Sequence, residues 1–187
     1  VAIIVERDST IADNALTTLT LSGTGGTLGI TNAATTPTNT TLTLNVNGLS
    51  NTGAGATSNA ITDVNGEITT LNIVTGATAS SILGAAAYST TAFSDAGLKT
   101  VNISGSSVLT MGAWGTAPTS ITVTGAAGYT GLITDTTTTF TASGATGRDI
   151  IGISAVPTKS ITGSSATNNE LVINAAAVAD TTATAAN

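Results

Sequence analysis

Apolar and polar residues alternate with a period of two in short runs along this chain. In TLTLSG (Thr18 to Gly23), Leu19 and Leu21 fall on one face and Thr18 and Thr20 on the other. The same order returns in TLTLNVNG (Thr41 to Gly48), TLNIVTG (Thr70 to Gly76) and TVNISG (Thr100 to Gly105). It continues in SITVTG (Ser120 to Gly125), TFTASG (Thr139 to Gly144) and a shortened SITG (Ser160 to Gly163). Such alternation is the mark of a strand with one buried face, and the glycine ends it by allowing a φ that other residues avoid. Successive closing glycines lie 25, 28, 29, 20, 19 and 19 residues apart. The pattern is therefore an internal repeat, most regular in its last copies.

A second apolar patch follows most of these glycines: Leu28/Ile30, Ile82/Leu83, Val108/Leu109, Leu132/Ile133, Ile150/Ile151 and Leu171 to Ile173. It predicts a second strand per repeat. One such coil cannot bury its apolar face alone, but coils stacked with like strands in parallel share a continuous core. The expected fold is all-β, a right-handed parallel β-solenoid with coils of about 20–30 residues. It spans residues 1–187 as one domain, with irregular, looped coils over 1–97, regular coils over 98–174 and a tail over 175–187. Loops are expected at Asn32 to Thr40 and Ser50 to Ala60, and a short surface helix within Ala85 to Gly97. An antiparallel β-sandwich, whose strands also recur at short intervals with turn signals, is the alternative.

Composition narrows the function. Charged residues are 7% of the chain, against about 25% in ordinary soluble domains, yet 41% of residues are apolar. Disorder needs the opposite balance. The wet face must be built largely from the 42 threonines, which suit strands better than helices. There is no Cys and no His, which excludes disulfide staples, Cys/His zinc sites and histidine-based catalysis in this chain. Arg7, Lys99, Arg148 and Lys159 are scattered cations in a chain of net charge −6. That excludes a nucleic-acid partner and an anionic membrane surface, and no apolar run is long enough for a membrane span. The acidic balance, scarce lysine and absent cysteine predict a secreted, extracellular bacterial protein. The opening VAIIVERDST reads as a strand entered part-way along a longer chain.

These copies resemble those of RTX-type bacterial S-layer proteins and large repeat adhesins, from about Leu16 to Ile173. The calcium nonapeptide of that family reads G-G-x-G-x-D-x-U-x, with U apolar. GATGRDIIG (Gly144 to Gly152) matches it at Gly144, Gly147, Asp149 and Ile151 and departs at Ala145. GAAGYTGLI (Gly125 to Ile133) keeps Gly125, Gly128 and Leu132 but carries Thr130 where the acid would stand. The resemblance implies a calcium cofactor with Asp149 as a ligand, assembly of identical subunits into a lattice on the cell surface, and type I secretion. Glu170 is taken with Asp149 as a calcium candidate. A single Asp would need carbonyls and neighbours to reach six to eight oxygens, so a capping side chain in a corner is the other reading of Asp149.

Two further segments carry candidate chemistry. DVNGE places Asp63, Asn65 and Glu67 as oxygen donors around Gly66; it reads as a fragment of a calcium loop or as a plain Asn-Gly hairpin turn. Trp114, in MGAWGTAP, is either an exposed contact for a sugar such as cell-surface polysaccharide or a neighbouring subunit, or a corner plug over the apolar column. The acids are otherwise dispersed, which argues against paired-carboxylate chemistry and so against an enzyme. The outward Thr columns also suit an ice-binding face, although Thr is simply the best polar residue for a wet strand. The function expected is a self-assembling S-layer-like scaffold. The alternatives are an adhesin or phage-fibre segment and, behind these, an ice-binding protein or a polysaccharide-active β-helix enzyme.

Overall fold

Alternation in the T-x-T runs builds one long sheet. The computed structural model describes residues 2–3, 9–13, 15–31, 39–50, 58–83, 91–133 and 136–173. Its first sheet has eight strands: β1 (Ala2–Ile3), β3 (Thr18–Thr24), β5 (Thr41–Ser50), β7 (Thr70–Thr75), β10 (Thr100–Gly105), β13 (Ser120–Gly125), β15 (Thr139–Ala145) and β17 (Ile161–Thr162), stacked in chain order. A second sheet holds β8 (Ser80–Ile82), β11 (Val108–Met111), β14 (Gly128–Ile133), β16 (Ile150–Ile153) and β18 (Glu170–Ile173). A third holds β2 (Ser9–Ala12), β4 (Leu28–Thr31), β6 (Ile61–Asp63), β9 (Thr91–Ser94) and β12 (Ala113–Trp114).

Every strand pairing among the described residues is parallel. The antiparallel sandwich is thereby excluded, and with it the hairpin reading of Asn65-Gly66. The chain leaves each sheet and returns one strand further along, a solenoid-like architecture with no helix among the described residues.

In-register aliphatic ladders hold the layers together. Leu42 lies against Leu71, Leu71 against Val101, Val101 against Ile121, Ile121 against Phe140 and Phe140 against Ile161. A parallel column runs Leu19, Leu44, Ile73, Ile103. Except for the half-buried Ile161, these side chains are buried, each stabilising the fold by about 1.5–3 kcal/mol relative to exposure. The outer face carries matching polar columns, one of hydroxyls (Thr41, Thr70, Thr100, Ser120, Thr139) and, beside it, one of hydroxyls and amides (Thr43, Asn72, Asn102, Thr122, Thr141). Thr18 pairs with Thr43 and not with Thr41, so the first copy sits two residues off the alignment its sequence suggests.

The sequence pattern predicts two strands per repeat, but the structure has a third sheet. Its strands are short: β6 has three residues and β12 two. The surface helix expected within Ala85 to Gly97 is replaced over Thr91–Ser94 by strand β9, because Ala92 and Phe93 enter the core; residues 85–90 lie outside the described residues. So do 32–38 and 51–57 of the expected loops, and the tail over 175–187. Of the closing glycines, Gly23, Gly48, Gly105 (φ 118°) and Gly125 (φ 71°) turn through the left-handed region as expected, whereas Gly76, Gly144 and Gly163 do not.

Leu71→Ala removes a fully buried ladder side chain and is expected to cost about 2–5 kcal/mol. Thr122→Ala, on the outer face, should stay within about 0.5 kcal/mol. Urea denaturation of both variants checks the pair.

Candidate functional site

Two corners of the stack bury carboxylates. In the first, β6 and β9 pair Ile61 with Phe93 and Thr62 with Ser94, so Asp63, which ends β6, lies beside Asp95, which directly follows β9. Asp63 is 4% exposed and Asp95 0%. Asp95 Oδ2 accepts from the Ile68 N–H at 2.9 Å and Oδ1 from the Gly97 N–H at 2.6 Å. Asp63 Oδ1 accepts from the Asn65 N–H at 3.2 Å, while Asp63 Oδ2 has no hydrogen-bond partner. The corners nest so closely that a side chain on Gly97 would overlap the Gly66 carbonyl.

Electrostatics follow from that burial. Desolvation, then the neighbouring Asp63 carboxyl, push Asp95 up to about 7 against the pull of its two N–H donors. Glu67, also buried, is raised by burial and then by the charge of Asp63. It borders a small cavity with Asp13, Leu16, Ile30, Asn39, Leu42 and Ile68.

The second corner belongs to Asp149, which is fully buried. Its Oδ1 accepts from the Tyr129 N–H of one neighbouring strand at 3.0 Å, and Oδ2 from the Ser164 N–H at 2.9 Å. The Asp149 N–H donates to Asn169 Oδ1 at 3.0 Å. Burial raises the Asp149 pKa, while the Ser164 and Tyr129 donors pull it down. Side chains on Gly128 or Gly147 would overlap the carbonyls of Arg148 and Ala127 respectively. Close contact between layers thus accounts for Gly147 of the nonapeptide-like segment and for Gly128 of its fainter copy, whereas Gly144 has room for a side chain.

The calcium expectation does not fit these residues. Both oxygens of Asp149 face N–H donors, the electrostatic opposite of a cation cage. Glu170 is exposed and pairs with Arg148 at 3.0 Å. Asp63 and Glu67 are buried while Asn65 is exposed, so the three do not converge. Among the described residues no group of three acidic, His or Cys side chains is arranged to hold a metal ion. Sequence reasoning missed Asp95, although ITD before Gly66 and FSD before Gly97 share an order that points to it.

Of the two readings of Trp114, its burial supports the plug over the apolar column and not the exposed contact. It is 6% exposed, its ring meets Phe93 edge-on at 6.3 Å, and Nε1 donates to the Tyr129 hydroxyl at 3.3 Å. Tyr129 packs at 5.5 Å on Phe140, and burial pushes its hydroxyl up to about 12. These rings fill the stack where β12 ends the third sheet.

A depression of about 300 Å³ on the second sheet is lined by Thr130, Gly131, Leu132, Ile150, Gly152 and Val172. It offers no acid, base or activated nucleophile. Comparison with protein-family models, with curated proteins and with solved structures gave no match.

Asp149→Ala strands the Tyr129 and Ser164 N–H groups and is expected to cost about 2–5 kcal/mol. Glu170→Ala breaks a solvated pair and should shift stability by no more than about 1 kcal/mol. Thermal melts of both variants, each with calcium and with a chelator, check this; calcium should leave every curve in place.

Proposed function

We propose that this chain is a structural segment of an extracellular, self-assembling scaffold, S-layer-like, on a bacterial surface. In this reading the stack is a right-handed β-solenoid, the hand that parallel crossovers almost always take, with coils of about 20–30 residues. The observation that carries it is the in-register parallel ladder from Leu42 to Ile161. Eight strands at about 4.8 Å make a rod about 34 Å long, stiffened by a shared core and faced with neutral hydroxyls and amides. Stiffness and a repeating neutral surface are what a scaffold needs. Buried carboxylates bonded to backbone N–H groups, and a depression without a nucleophile, give no support to catalysis.

Identical subunits are the proposed partners. Leu171, Val172 and Ile173 on β18 are each about half exposed, and β18 has one strand neighbour, β16, among the described residues. Such an edge favours pairing with more chain.

A second reading rests on the outer columns. Asn102 donates to Asn72 at 2.9 Å across the strands, and Thr, Ser or Asn occupies both columns from β5 to β15. That regular grid suits ordered water, as an ice-binding face requires.

Negative-stain images of the purified protein distinguish the two. The scaffold reading predicts arrays or filaments with a constant repeat, and no thermal hysteresis in freezing assays. Monodisperse particles that arrest ice growth would replace it with the second reading.

A further inference from the structure

We propose that Asp63 and Asp95 form a carboxylic acid–carboxylate pair, one shared proton clamping two neighbouring layers, and that the stack loosens there when rising pH removes it. Asp63 ends β6 and Asp95 directly follows β9, and the pairing of these strands sets the two side chains against each other. Both are more than nine-tenths buried. Asp63 Oδ2 lacks any donor, and a buried acceptor without a donor is costly. A proton on Asp95 supplies that donor, and it removes the repulsion between two stacked charges that cannot both ionise cheaply.

Among the described residues no cation forms an ion pair with either acid. On the preceding layer the register partner of Asp63 is Ile30 of β4. On the following layer the Gly115 N–H donates to the Phe93 carbonyl, beside uncharged Trp114. The nearby titratable groups are Glu67, buried and itself raised by Asp63, and the exposed Asp13 and Lys99. The only ion pair among the described residues is Arg148–Glu170, elsewhere in the stack. Asp95 also accepts from Ile68, twenty-seven residues back, so its protonation state is felt in both layers.

The direction follows from linkage. Asp95 binds its proton in the folded protein up to about pH 7 but releases it near pH 4 when unfolded. Between those values the folded state holds more protons, so stability falls as pH rises and is lowest above 7. Glu67 and Asp149, also raised, contribute in the same sense, so the clamp must be read as a difference between variants.

The test compares melting temperatures of the wild type and Asp63→Asn from pH 4.5 to 8.5. In the variant, the amide introduced at position 63 would donate permanently where the shared proton sits. The wild type should lose on the order of 5 °C or more across this range; D63N should lose clearly less and melt higher than the wild type at pH 8.5. Equal slopes overturn the proposal. Should D63N not fold, the carboxyl ¹³C resonance of Asp95 in the wild type decides: a midpoint near 7 supports the clamp, and one near 4 overturns it.

Discussion

A single turn of this chain has nowhere to put its aliphatic side chains. Leu71 on β7 is buried only because Leu42 lies on one side of it and Val101 on the other. Stability is therefore a property of neighbours, summed along the stack. Parallel in-register pairing brings like residues together, so a substitution in one strand is felt as a gap between two others. Glycines at the corners and hydroxyls outside follow from the same demand, since each layer must approach the next to strand-pairing distance.

The same stacking explains the acids. Corners bring backbone N–H groups from successive layers to one spot, and Asp149 takes one from each side. Asp95 takes one from the preceding layer, at Ile68, and one from its own turn, at Gly97, and meets a second acid beside it. A buried carboxylate here satisfies the N–H groups a corner leaves over, and two together must share a proton. Neither arrangement has the geometry of a catalytic pair or of a cation cage.

The first sheet was legible because its signal is strong in each copy. A T-x-T run flanking a single aliphatic and closed by glycine leaves little choice of face or period. Of the third sheet only β4 was legible, through Leu28 and Ile30; β6 offers Ile61 alone and β9 places Ala92 and Phe93 side by side, so neither displays alternation. Register between unequal repeats was also hidden, as the offset of Thr18 shows. Asp63 and Glu67 stood out as neighbours in sequence, whereas Asp95 lies thirty-two residues from Asp63 and joins it only through strand pairing. Asp149 was visible as a motif residue, but the donors that determine its role arrive from chain segments fifteen and twenty residues away.

In-register stacking can be read directly by cross-linking, since the chain has no cysteine of its own. Asn72 and Asn102 are register partners on neighbouring strands, within the Cα separation a disulfide spans, whereas Thr122 lies one strand beyond Asn102. With cysteines at 72 and 102, mild oxidation should close an intramolecular disulfide rapidly; with cysteines at 72 and 122 it should not. Equal yields from the two pairs, or none from the first, would contradict the stacked parallel ladder.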